Sequence, residues 1–122
     1  MTDAARSLRV LLVDDDTGFR AMVRSMIETV ALEAEIVGEA SDGDEAILIA
    51  HQFSPDLILM DFQMPGLDGA AAALAIKEFL PNARVVLLSG TDDAVAAAAR
   101  IEIEMVAKVG IDPDMLANLL RA

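Results

Sequence analysis

Cysteine is absent from the 122 residues, and histidine occurs once. No disulfide framework and no thiolate metal site can therefore form. A lone imidazole has no metal partners of its own kind, so His51 reads as a solvated residue on a helix surface. The lack of cysteine fits a reducing compartment, and a cytoplasmic location is the expectation. No apolar run approaches the ~18 residues of a membrane span. The opening MTDAARSLRV has no apolar signal-peptide core. Basic residues are scarce, nine against 21 acidic, for a net charge of −12. A surface of that sign repels phosphate backbones, which argues against direct nucleic-acid binding by this segment. It attracts cations instead.

What is present is apolar: 55% of the chain is hydrophobic, enough for one globular core and too much for disorder. Residues 1–7 show no periodicity and read as a frayed tail, leaving residues 8–122 as a single domain. Short apolar blocks recur at Leu8–Val13, Glu35–Ala40, Leu57–Met60, Arg84–Leu88 and Ile103–Ala107. Most are near-continuous, as strands buried on both faces are, so the pattern predicts a parallel sheet. Helical spacing separates them. Phe19, Met22, Val23, Met26, Ile27 and Val30 form one apolar stripe. Asp44–Phe53, Gly69–Phe79 and the alanine-rich Asp92–Arg100 are the next three predicted helices. A fifth begins at Pro113 behind an Asp112 cap, with Met115, Leu116, Leu119 and Leu120 on one face. Five β-α alternations predict an open, doubly wound α/β fold.

The informative feature is how each strand ends. Asp14 and Asp15 follow the first strand, Asp61 the third, Ser89 the fourth and Lys108 the fifth. Ligands of open α/β sheets sit outside the carboxyl ends of strands, where strand order reverses. The placement therefore directs these groups at one crevice. Two or three carboxylates together repel, which raises at least one pKa. A divalent cation relieves that repulsion, and oxygen-only donors favour a hard ion, Mg²⁺ first. A carboxylate beside Mg²⁺ can attack a phosphoryl group to give an acyl phosphate. The cation and an ammonium then neutralise the transferring oxygens, and a hydroxyl donates to another of them. These parts suffice for a self-phosphorylating aspartate switch.

On these residues the sequence resembles the response-regulator receiver family across residues 8–121. VLLVDDDTGFR is similar to the family's opening acidic motif. DLILMDFQMPGLDG is similar to its phosphorylation-site motif, the most specific signal in the chain, and VVLLSG to its fourth-strand motif. The resemblance implies a flavodoxin-like (βα)5 fold with a five-stranded parallel sheet in the order 2-1-3-4-5. It implies Asp61 as phosphoacceptor, with Asp14 and Asp15 as the acidic pair that holds Mg²⁺, Asp15 being the direct ligand. The Gln63 backbone carbonyl matches the third protein contact to the metal. Ser89 matches the hydroxyl that senses the phosphoryl group, and Lys108 the lysine that pairs with it. Pro65 and Gly66 match the turn into the third helix. Gln63 and Thr91 match positions that tune the lifetime of the phosphorylated state. The implied donor is a phosphohistidine on a histidine kinase or phosphotransfer protein, or a small phosphodonor. Such a domain is a signalling switch and not a conventional enzyme. VGEASDGDEA resembles the subgroup that carries a C-terminal helix-turn-helix output.

Three positions depart from the family. Val109 follows Lys108 where proline is usual, which predicts a trans bond there. Met105 replaces the aromatic three residues before the lysine. IEIEM replaces a Gly-Ala turn into the fifth strand. They fall on the surface expected to bind a second copy or a partner: helix four, strand five and helix five. Two alternative functions follow. A degenerate receiver would act unphosphorylated as a docking module. An aspartate-nucleophile phosphohydrolase would use Asp14, from the D-x-D spacing of Asp14–Asp16, but would leave DFQMPGLDG unexplained. Asp16 can instead serve only as a helix cap.

Overall fold

The structure, a computed structural model, describes residues 7–31, 33–90 and 103–121. Most of the predicted tail, Thr91 and the predicted helix Asp92–Arg100 lie outside the described residues.

Five strands form one parallel sheet in the order β2-β1-β3-β4-β5. They are β1 (Leu8–Val13), β2 (Ala34–Ala40), β3 (Leu57–Asp61), β4 (Arg84–Ser89) and β5 (Glu104–Ala107). The described α-helices are α1 (Thr17–Val30), α2 (Gly43–Phe53), α3 (Gly69–Phe79) and α4 (Pro113–Arg121), the last being the fifth predicted helix. The apolar blocks thus form the strands, with shifts of one residue at some ends. Asp61 and Ser89 are the last residues of their strands rather than the first residues after them.

Side chains alternate across a strand, so each central strand feeds two cores. Leu11, Val13, Ile58, Met60 and Leu87 pack on one face with Ala46, Ala50, Ala72 and Ile76 of α2 and α3. Val10, Leu12, Leu57, Leu59, Val86 and Leu88 pack on the other with Val23 and Ile27 of α1 and Leu116 of α4. Covering on both faces is why β3 is buried at every residue. The edge strands β2 and β5 are only partly buried, so the near-continuous burial expected of the blocks holds for the centre of the sheet alone.

Aspartates start all four described helices. The carboxylates of Asp16, Asp42, Asp68 and Asp112 accept from the N–H groups of Phe19, Glu45, Ala71 and Met115 at 2.8–3.0 Å. Each satisfies a donor that the helix leaves orphaned. Four of the 21 acids are therefore caps, and Asp16 does not join the acidic cluster.

Candidate functional site

The site lies beyond the carboxyl ends of β1, β3 and β4, at the point where strand order reverses. The backbone fixes it before any side chain does. Asp14 N–H donates to the Ala40 carbonyl at 3.0 Å, carrying the β1–β2 ladder one residue past the strand. Phe62 N–H donates to the Leu88 carbonyl at 2.8 Å, doing the same past Asp61. The register pairs Asp61 with Leu88, so Ser89 lies one residue further along, opposite Ala107. Lys108 follows immediately and opens a short 3₁₀ turn, Lys108–Gly110.

The loop after β3 returns tightly. Gly69 N–H donates to the Phe62 carbonyl at 2.9 Å. A Cβ at Gly69 would stand 2.4 Å from the Asp61 carbonyl oxygen. Only glycine lets α3 begin so close to the strand end. Gly66 has φ +79°, the left-handed conformation glycine adopts without strain. The spacing of DFQMPGLDG thus has a steric reason at both glycines.

Asp14 and Asp61 are 3% and 6% exposed, Ser89 is 4% exposed, and Asp15 lies open to solvent. One carboxylate oxygen from each of Asp14, Asp15 and Asp61 lies within 4.8 Å of the other two. Lys108 Nζ lies 2.8 Å from Asp14 Oδ2 and 3.4 Å from Asp61 Oδ1. Asp14 Oδ2 is fully buried, and that ammonium is its close polar neighbour. Asp14 Oδ1 accepts from Asp16 N–H at 2.9 Å, and Asp61 Oδ1 from Gln63 N–H at 3.3 Å.

Burial and the neighbouring Asp14 charge push the Asp61 carboxyl up to about 6, against the pull of Lys108 and the Gln63 N–H. Burial works to lower the Lys108 pKa, but the Asp14 and Asp61 carboxylates outweigh it and raise it on balance. Among the described residues, one ammonium lies against Asp14 and Asp61, with Asp15 beside them, so the cluster carries more carboxylates than cations. Oxygen donors alone, one of them buried beside a lysine, fit a hard divalent cation.

The sequence brings Asp14, Asp15, Asp61, Ser89 and Lys108 to one end of the sheet, as the strand endings predict. Gln63 lies two residues on, tied to Asp61 through its own N–H. The Lys108–Val109 bond is trans, as the missing proline predicts. His51 is exposed as expected, and its ring stacks on Phe79 with centroids 3.6 Å apart. Two residues escape a reading of the sequence. The ring centroid of Phe19 lies 4.4 Å from Lys108 Nζ, a cation–π distance. Phe19 reads only as part of the apolar stripe of α1; its position on the first turn after the acidic motif is the signal. Arg20, beside it, donates to the Asp14 carbonyl.

Comparison with known proteins agrees with this geometry. The family model for the response regulator receiver domain matches residues 10–116. Response regulator protein VraR of Staphylococcus aureus is 42% identical over 83 residues, 68% of this chain and 39% of that protein. The chain thus spans well under half the length of the curated relatives it matches. Among solved structures, the receiver domain of NarL from Mycobacterium tuberculosis superimposes with a TM-score of 0.84 at 28% identity, covering 95% of this chain and 94% of that one. A two-component transcriptional regulator AraC from Clostridium phytofermentans gives 0.80 at 34% identity, covering 94% and 90%. The fold, the strand-end acids and the family match agree: the chain belongs to the response regulator receiver domain family.

Proposed function

We propose that residues 8–122 form a receiver domain that takes a phosphoryl group on Asp61 and thereby alters a protein-binding surface. One observation carries the reading. Asp61 is a buried carboxylate, kept reluctant to ionise, within ion-pair reach of Lys108 and beside two more aspartates. Asp14 is a poorer nucleophile, because both its oxygens are engaged, by Asp16 N–H and by Lys108. That counts against the phosphohydrolase reading.

In the proposed reaction an Asp61 carboxylate oxygen bonds to phosphorus. The P–N bond of a phosphohistidine breaks, and the imidazole nitrogen leaves with the electron pair and takes up a proton. Asp15, Asp61 and the Gln63 carbonyl would hold Mg²⁺, with Asp14 reaching it through water. The cation supplies charge neutralisation for the phosphoryl oxygens. Lys108 neutralises a further oxygen, and the Phe19 ring gives its ammonium a second seat. The Ser89 hydroxyl donates to another. The donor is a histidine kinase or phosphotransfer protein. The chemistry is that of a cytoplasmic signalling switch, not of a turnover enzyme.

The responding surface is β5, α4 and the alanine-rich segment 92–100, which would also carry any homodimer. Met105 packs, partly buried, against the core between the sheet and α2 and α3. Methionine is flexible and lacks a sharp two-position preference, and Ser89 is less restricted about χ1 than threonine. Coupling between site and surface is therefore soft. A docking role without phosphorylation draws support from the same positions, since Val109 and Met105 replace the family's proline and aromatic.

The test is intact-mass measurement after incubation with acetyl phosphate and Mg²⁺. One labile adduct of ~80 Da, absent from Asp61→Asn, is expected for an acyl phosphate. An unlabelled wild-type chain would leave the docking role. Label that persists in Asp61→Asn and is lost in Asp14→Asn would favour the hydrolase.

A further inference from the structure

Arg20 sits near the start of α1 with its side chain only 16% exposed. Its Nη1 donates to the Asp14 carbonyl at 2.5 Å and lies 3.3 Å from the Ala40 carbonyl and 3.4 Å from Ser41 Oγ. Its Nε donates to Glu39 Oε1 at 2.8 Å. Arg24 grips the other oxygen of Glu39 from the next turn. The guanidinium thus spans the ends of β1 and β2.

The Asp14 carbonyl belongs to the peptide that joins Asp14 to Asp15. A peptide unit is planar, so fixing its oxygen fixes the direction in which Asp15 leaves the strand. Asp14 has anchors of its own in the Ala40 carbonyl and the Asp16 N–H. Asp15 is the exposed member of the triad. A rigid planar fork suits this task, because it reaches several acceptors in fixed directions, and a lysine ammonium does not. Glu39 balances the guanidinium charge locally.

We propose that Arg20 is a positioning residue for the cation site: it holds the Asp14–Asp15 peptide and so sets the Asp15 carboxylate against Asp14 and Asp61. This rests on the reading of the acidic pocket as a Mg²⁺ site. Hydrogen-bond partners that orient metal ligands are worth roughly tenfold or more in metal affinity.

The test is a Mg²⁺ titration of the full chain by amide NMR, alongside thermal unfolding, on wild type, Arg20→Lys, Arg20→Gln and Arg24→Gln. Arg20→Lys keeps the charge and loses the fork; Arg20→Gln loses both. Both should weaken Mg²⁺ binding, read at the Asp15 and Asp61 amides, by roughly tenfold. Arg24→Gln, which touches Glu39 but not Asp14, should stay within about twofold. If Arg20→Gln tightens Mg²⁺ binding and Arg20→Lys leaves it unchanged, Arg20 acts by charge and the inference is wrong. It is equally wrong if both variants bind like wild type and merely unfold earlier. A wild-type chain without a saturable response at Asp15 and Asp61 would overturn the pocket reading itself.

Discussion

The centre of the sheet and its β5 edge are built to different standards. β3 is buried at all five residues, and its ladder continues past Asp61 through the Phe62–Leu88 hydrogen bond. β5 has four residues, two partly buried and two exposed. Its start is held from the side: Arg84 grips both oxygens of Glu104 at 2.6 and 2.7 Å and donates to the Leu119 carbonyl of α4 at 2.5 Å. Val109, just beyond β5, is 92% exposed. The proposed chemistry thus rests on backbone that packing over-determines. The proposed output includes β5, an edge strand paired on one side only, where local opening costs less. A switch needs both, since a rigid site transmits nothing without an element that has two arrangements close in energy.

The largest expected effect lies at the centre. Asp61→Asn should remove all acetyl-phosphate labelling, whereas Met105→Ala, on the edge strand, should leave labelling largely intact by mass spectrometry. Equal loss in both would break the contrast.

Stability should divide the same way. Leu59→Ala empties a fully buried position and should cost about 3 kcal/mol. Val106→Ala, half-buried on β5, should cost about 1 kcal/mol. Urea unfolding compares them, and similar losses would mean that the edge is as tightly built as the centre.

Next comes a pH effect. The Asp61 carboxyl titrates at about 6 in the folded chain against 3.8 as its ordinary value. Between those values the folded chain holds a proton that the unfolded chain has released. Stability of the metal-free protein should therefore rise as pH falls from above 6 towards 4, by about 1–2 kcal/mol after allowance for solvent screening. Asp61→Asn should erase that part of the slope and be the more stable chain at pH 7. Mg²⁺ affinity should fall over the same window, because a protonated carboxyl is a poor ligand. Chemical denaturation at several pH values, with and without Asp61→Asn, measures this.

The smallest effect belongs to the edge clamp. Glu104, held below the usual carboxylate range by its hydrogen bonds to Arg84, is half exposed. Glu104→Gln should cost about 0.5–1 kcal/mol. It should speed hydrogen exchange at the β5 amides without altering exchange in β3. Uniform acceleration across the sheet would show that the edge does not open by itself.

Much of this organisation is legible in the amino-acid order. The buried blocks, the aspartate caps at Asp16 and Asp112 and the acids at the strand ends are local signals: periodicity, turn chemistry and position relative to a strand end. They suffice to place Asp14, Asp15, Asp61, Ser89 and Lys108 at one end of a parallel sheet. They do not reveal that β2 and β5 are half-open, since an apolar block reads alike at the centre of a sheet and at its edge.

Contacts between elements belong to the tertiary structure alone. Nothing in the chain order of Phe19 and Lys108 announces that a ring on α1 underlies an ammonium beyond β5. Nor does the spacing of Arg20, Glu39 and Ala40 announce a guanidinium across two strand ends. Such pairings depend on strand order, register and the packing of a helix on one face, which are fixed only when the whole chain closes around its two cores. Residue order alone dictates which polar groups gather and at which end of the sheet. Packing decided which side chain holds which, because a local signal extends a few residues and these partners meet only across the fold.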